Sequence, residues 1–244
     1  MIVVTFAVKA ESRGLLRLLE NRTRTTYRDI ATISGRLHGE SVTVLHTGAG
    51  ATVGRKRIQQ FLDEGDFRYL LSSGFAGGTD DRLRAGDLLI AENFSDQHLL
   101  AQAKSLLMKN IVHVGKLISA DRVIESASER IAFSKSNGAI AVDMETEIIA
   151  NACTARGLPM LSIRAISDTA NEPFPAPPAV LFDLARQKTN PQRLALYLTK
   201  NPGRIVALVR FAKQIAKARA NLTEALNALL RHPLIPRSPD LPNE

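Results

Sequence analysis

Short apolar runs of strand length recur through the first two thirds of the chain, with helix-length stretches between them. This alternation restricts the chain to an α/β architecture. The strand candidates are 1–8, 41–47, 68–74, 87–92, 111–118, 139–143 and 159–166, and the helix candidates are 11–20, 52–64, 120–135 and 145–156. A helix lying between two strands carries the chain back to start a parallel neighbour, so the expected core is a parallel or mixed sheet. One three-layer domain over 1–182, a central mixed sheet flanked by helices, accommodates all of these segments. Its polar loops fall after strand ends, where open α/β sheets bind ligands. Thr47-Gly48-Ala49-Gly50 follows one strand, Ser73 to Gly78 a second, and Ser167-Asp168 a third.

The C-terminal third differs in kind. Pro173, Pro175, Pro177 and Pro178 exclude regular helix from that stretch, which reads as a loop over the site or a connector. Residues 203–230 then form an amphipathic helix, with Leu208, Phe211, Ile215, Leu222, Leu226 and Leu229 at three- and four-residue spacings. The expected division is therefore a helical extension over 183–232 packed on the domain, and a poorly ordered Pro-rich tail over 233–244. Charge divides at the same boundary. Residues 1–182 carry 21 Lys and Arg against 20 Asp and Glu, whereas 183–244 carry 11 against 4. The net charge of +8 thus belongs to the extension, which removes any argument for a nucleic-acid-binding body. Arg210, Lys213 and Lys217 share a face of the long helix. That face is either solvated while the apolar stripe packs on the body, or it rests on an anionic membrane as a peripheral contact. No apolar run reaches the length of a membrane span. The apolar start meets Lys9 and Glu11 early and reads as a first strand, and the single Cys153 reads as core, both in keeping with a cytoplasmic protein. His38, His46, His98, His113 and His232 have no ligand spacing, so no metal site is expected.

The densest chemistry lies in residues 139–172. Asp143-Met144-Glu145 closes one apolar approach and Ser167-Asp168 closes another. A carboxylate at the end of a buried element is costly unless it is paired or employed. In one reading Asp143 and Glu145 open the following helix, where acidic residues complement the dipole. Alternatively, Glu145 and Asp168 meet in a site for proton transfer or hydroxyl binding. The residues alone leave both readings open.

The segments Val-Asp-Met-Glu-Thr and Arg-Ala-Ile-Ser-Asp-Thr-Ala resemble the signature of the nucleoside phosphorylase and nucleosidase family. Ser73-Gly-Phe-Ala-Gly-Gly78, Leu83-Arg-Ala-Gly-Asp-Leu88 and Thr47-Gly-Ala-Gly50 resemble its upstream segments in the same order, over roughly residues 1–175. The passage after Asp168 and the basic tail look most like the hopanoid-associated branch. The resemblance implies a nucleoside phosphorylase-like fold, a homo-oligomer, and cleavage of a purine riboside, most naturally of adenine, with a 5′ substituent that can be bulky and apolar. By that likeness Asp168 is the acid at the purine N7, oriented by Ser167, with Arg164 as a charge partner or a structural one. Glu145 holds the ribose hydroxyls and Met144 packs on the sugar. Phe75, Ala76, Gly77, Val123, Ile124 and Asp143 surround the base. Hydrolysis would use Glu11 as base. Phosphorolysis, with inorganic phosphate as co-substrate and no other cofactor, would use Thr47, Gly48, Gly50, Ser73 and Arg13. Phe75 replaces a family serine and Val123 a family stacking aromatic, so the base contact must differ. Two other readings compete. The Gly48-Ala-Gly50-Ala-Thr-Val-Gly54 spacing suggests a dinucleotide-binding dehydrogenase, but it lacks an acidic residue on a second strand. A nucleoside-binding protein without catalysis is the other, and the retained Glu145 and Asp168 argue against it.

Overall fold

The computed structural model describes residues 1–27, 30–63, 65–108, 110–124, 126–172, 174–182 and 191–236. Strand β1 (Ile2–Phe6) leads into helix α1 (Lys9–Leu18), followed by a meander of β2 (Glu20–Tyr27), β3 (Ile30–Leu37) and β4 (Glu40–His46). Helix α2 (Ala51–Leu62) connects to the long β5 (Tyr69–Gly78). Then come β6 (Leu88–Ala91), α3 (Gln97–Leu106), β7 (Val112–Gly115), β8 (Leu117–Ser119), α4 (Ala127–Asn137) and β9 (Ala141–Asp143). Helix α5 (Thr146–Thr154) and β10 (Met160–Thr169) complete the sheet. Helices α6 (Pro178–Leu181), α7 (Pro191–Lys200) and α8 (Ile205–Arg231) end the chain.

The main sheet runs β2-β3-β4-β1-β5-β10-β6-β7. Strands β4, β1, β5 and β10 are mutually parallel, whereas β2, β3 and β4 pair antiparallel, so the sheet is mixed. Its central strands show the two-residue alternation of a sheet covered on both faces. Ile2, Val4, Phe6, Leu71, Leu161 and Ile163 face one layer of helices, α1, α3 and the second half of α8. Val3, Leu45, Leu70 and Met160 face the other, α2 and α5. Strand β5 divides along its length: Tyr69–Ser72 pair with β1, whereas Gly77 and Gly78 pair antiparallel with β9. The sheet forks there, and the candidate site lies at the fork.

Several expectations need correction. The stretch 111–118 is two strands, β7 and β8. The helix expected over 120–135 starts only at Ala127, where Ser126 caps it by accepting from the Glu129 N–H at 3.1 Å. The Pro-rich passage contains one helical turn, α6, with Pro178 at its start, where a missing N–H breaks no bond. The second half of α8 packs into the domain. Ala218, Leu222, Ala225, Leu226, Leu229 and Leu230 are buried against β1, β5 and β10. A Cβ on Gly14 of α1 would lie 1.9 Å from the Thr223 hydroxyl of α8, so only glycine permits the two helices to approach this closely. Nor is the start of the tail loose: Leu234 is buried, and the Ile235 backbone exchanges two hydrogen bonds with Gln102. Residues 237–244 of the expected flexible tail lie outside the described residues.

Candidate active site

Asp168 owes its position to an irregularity in β10. Ile166 pairs with Ala76 and Asp168 with the adjacent Gly77, so Ser167 is an extra residue, a bulge. A bulge breaks the two-residue alternation and re-aims the side chains that follow it. The Asp168 carboxylate here is 1% exposed. The Ser167 hydroxyl donates to its Oδ1 at 2.5 Å, and the Arg130 guanidinium lies 2.5 Å from its Oδ2. Gly77 leaves room for that ion pair, since a Cβ there would sit 3.1 Å from Arg130 Nη1. Burial pushes the Asp168 pKa up, opposed by Arg130 and by the Ser167 hydrogen bond.

Arg130 is the residue that the sequence reading missed. It projects from α4, is 2% exposed, donates through Nε to the Ile124 carbonyl at 2.9 Å, and lies 5.5 Å from the centre of the Phe174 ring. It thereby ties the acid to the Val123–Ile124 loop and to the segment after β10. Nothing in the local pattern of an Arg on a polar helix marks it, because its partner is supplied by a bulge 38 positions later.

Glu11 enters from the first turn of α1. Its Oε2 accepts from the Val8 N–H at 3.0 Å and its Oε1 from the Phe75 N–H at 2.9 Å. It too is buried, and burial raises its pKa against the pull of those hydrogen bonds and of Arg164. Glu145 stands at the head of α5, half-buried. Its Oε1 accepts from the Gly50 N–H at 2.8 Å. Burial first, then the nearby Asp143 and Glu11 charges, push its pKa up to about 8.

These three carboxyl groups line one cavity of about 230 Å³. Met144, Ser167, Phe75, Ala76 and Gly77 line it as well, together with Val123 and Ile124. Val8, Ala49, Phe174 and Phe182, none of them singled out from sequence, complete its apolar wall. Asp143 borders the cavity, but its carboxylate is engaged elsewhere. It accepts from the Ser119 hydroxyl at 2.6 Å, from the Thr146 hydroxyl and from Arg164 Nε at 3.0 Å. Arg164 is a structural partner: its remaining donors reach Ser72, the Ile163 carbonyl and Thr146.

The residues expected to hold phosphate are not gathered at the cavity. The Thr47 and Gly48 N–H groups donate to Phe6 and Ala7, and the Gly50 N–H donates to Glu145. Ser73 is buried away from the cavity lining. Arg13 points from the exposed side of α1 into a separate groove shared with Arg17 and Arg219. The two arginines that do line the cavity, Arg122 and Arg130, pair with Glu129 and Asp168.

The comparisons with known proteins agree with this architecture. The chain is 24% identical over 199 residues to the 5′-methylthioadenosine/S-adenosylhomocysteine nucleosidase of Staphylococcus haemolyticus, covering 70% of this chain and 87% of that one. The nucleosidase of the same name from Neisseria meningitidis, solved with methylthio-immucillin-A, superposes with a TM-score of 0.73 at 19% identity, covering 95% and 98% of the two chains. The futalosine hydrolase of Helicobacter pylori superposes with a TM-score of 0.72 at 17% identity, covering 95% and 97%. The fold is therefore nucleoside phosphorylase-like. The family model of the phosphorylase superfamily matches residues 2–105 and 92–200, the span that supplies every carboxyl group of the cavity, and the chain is an enzyme of the phosphorylase superfamily.

Proposed function

We propose that the chain hydrolyses the N-glycosidic bond of an adenine riboside bearing an apolar 5′ substituent. One observation carries this reading: three carboxyl groups, two buried and one half-buried and all with raised pKa, converge from α1, α5 and β10 on one nucleoside-sized cavity. In the reaction, Asp168 gives its proton to N7 as the C1′–N9 electron pair moves into the purine. A water attacks C1′, which becomes oxocarbenium-like, and Glu11 takes the proton that the water loses. Burial serves both roles, keeping Asp168 protonated and making Glu11 a stronger base. Glu145 accepts from the ribose hydroxyls.

Hydrolysis is preferred to phosphorolysis because the donors that an oxyanion site needs are either occupied or, like Ser73 and Arg13, away from the cavity lining. The glycine-loop N–H groups bond to protein, and both cavity arginines are paired. The adenine reading is supported by the substrates in the names of the related nucleosidases. The apolar 5′ reading is supported by Val8, Phe75, Phe174 and Phe182, which are half-buried in the cavity wall. None of the relatives named above acts, by its name, on a hopanoid. A polycyclic group would have to run out through the mouth, since a nucleoside already fills the enclosed volume.

The test is incubation with adenosine, 5′-methylthioadenosine and longer 5′-alkylthio analogues, with and without phosphate, following free base and sugar. Free adenine and a reducing sugar at the same rate in both buffers is the expected result. Ribose 1-phosphate formed only with phosphate overturns hydrolysis, and no base release from any purine riboside overturns the whole reading.

A further inference from the structure

The hairpin formed by α7 and the first half of α8 is unlike the rest of the surface. No residue of α7 is buried. Four large aliphatic side chains stand in solvent on this hairpin: Val206 is 79% exposed, Leu196 60%, Val209 51% and Ile205 48%. Ile205, Val206 and Val209 lie at three- and four-residue spacing and form one face. Isolated exposed aliphatics are ordinary, but a cluster on the outward face of a helix marks a contact surface. The same segment is one-sided in charge. From Pro191 to Thr223 there is no Asp or Glu, while Lys200, Arg204, Arg210, Lys213 and Lys217 all fall within it. The second half of α8, with Ala218, Leu222, Ala225, Leu226, Leu229 and Leu230 buried, holds only Arg219, Glu224 and Arg231 among charged residues; the half described here carries Arg210, Lys213 and Lys217.

We infer that this hairpin docks the protein on an anionic lipid bilayer, with the aliphatic side chains entering the headgroup boundary and the basic ones meeting lipid phosphates. Charge decides among the occupants. A second copy of the chain on the same face would be related by a twofold axis, bringing an all-basic segment against itself. A nucleic acid would satisfy the charge but leave the aliphatics in water. An anionic bilayer satisfies both at once. No helix among the described residues is long and apolar enough to cross a membrane, so the contact is peripheral. The Phe211 ring of α8 meets Phe174, which lines the cavity, edge-on at 5.7 Å, so this part of α8 turns its opposite face to the cavity wall and leaves the Val206–Val209 face outward. The docking itself does not rest on the proposed reaction.

The experiment is co-sedimentation of the full chain with phosphatidylglycerol–phosphatidylcholine vesicles and with pure phosphatidylcholine vesicles, at low and high salt. Binding to the anionic vesicles alone, reversed by salt, is expected. Changing Arg204, Arg210 and Lys213 together to Gln lowers the partition coefficient on the order of 10²-fold, roughly five-fold for each residue. Val206→Asp with Val209→Asp abolishes binding while leaving the melting temperature unchanged, because both side chains are exposed. No binding to anionic vesicles at low salt overturns the inference. So does equal binding to neutral vesicles, or binding that survives the two aspartates. If sedimentation velocity shows that those aspartates dissociate a dimer, the face is a subunit contact and the inference also fails.

Discussion

Asp168 shows how one residue draws on several distant ones. Its acid role requires a proton, which burial retains, and a fixed orientation, which Ser167 and Arg130 impose. Asp168→Asn preserves shape and hydrogen bonding to Ser167 but removes the transferable proton. Turnover is expected to fall on the order of 10²–10⁴-fold in a steady-state assay; a wild-type rate would exclude the role. Arg130 favours the charged form of Asp168, so Arg130→Gln pushes the acid's pKa further up. The alkaline limb of the pH–rate profile then moves to higher pH, while a residue with only a packing role would lower the plateau without moving the limb. Glu145→Gln weakens acceptance from the ribose hydroxyls, so kcat/KM falls further for a riboside than for its 2′-deoxy analogue; parallel losses would remove Glu145 from the sugar. Among these residues, Asp168 and Glu145 stand out in the sequence because a carboxylate next to an apolar run is conspicuous, whereas Glu11 and Ser167 come from the family resemblance. Arg130 is not legible, since an arginine on a polar helix is the commonest of patterns and its burial depends on a long-range pairing. Arg13 fails for the opposite reason. Its neighbour Glu11 faces inward, but two positions on an α-helix is about 200° of turn, so Arg13 must face away.

Elements with one apolar face are those the sequence makes visible. Strands β1, β4, β5, β9 and β10 and helices α1, α2 and α5 follow from periodicity, because their alternation is imposed by a core on one side or both. Strand β2, Glu-Asn-Arg-Thr-Arg-Thr-Thr-Tyr, gives no such signal: it lies at the sheet edge, and the described side chains from Glu20 to Thr26 are exposed. Its charged residues protect that edge from further pairing. Helix α3 does have a readable start, since Asp96 accepts from the Leu99 N–H at 2.9 Å, but its short apolar face of Leu99, Leu100 and Ala103 is easily overlooked. Helix α8 carries the clearest lesson, because a single amphipathic pattern covers two different environments. Leu226→Ala in its buried half should cost about 2–5 kcal/mol in a denaturant titration. Val206→Ala in its exposed half should change stability by less than about 0.5 kcal/mol. Similar small losses at both sites would mean that α8 does not form part of the core.

His46 at the end of β4 contributes one term to the pH dependence of the whole molecule's stability, opposite in sign to that of the carboxyl groups whose pKa is raised. Burial, with Lys9 and Arg57 nearby, lowers its pKa from 6.5 to about 4. Its Nε2 and the Ser12 hydroxyl share a 2.8 Å hydrogen bond. The unfolded chain binds a proton at this residue near pH 6.5, while the folded chain resists it down to about pH 4. Stability is therefore lost as pH falls through that window and levels off below it. Relative to His46→Gln, which keeps a donor but does not titrate, the wild type should lose ~2 kcal/mol across the window, allowing for partial exposure. Parallel stability curves for the two proteins would show that His46 takes no part. The order in which the chain is made adds a last consequence. The central strand β1 is synthesised long before the half-helix of α8 that covers Ile2, Val4 and Phe6. At translation rates of roughly 5–20 residues per second, that apolar face waits on the order of ten to forty seconds for its cover. The core therefore closes only once that half-helix has been made, and until then the chain depends on a chaperone or on its own early collapse to stay out of aggregates.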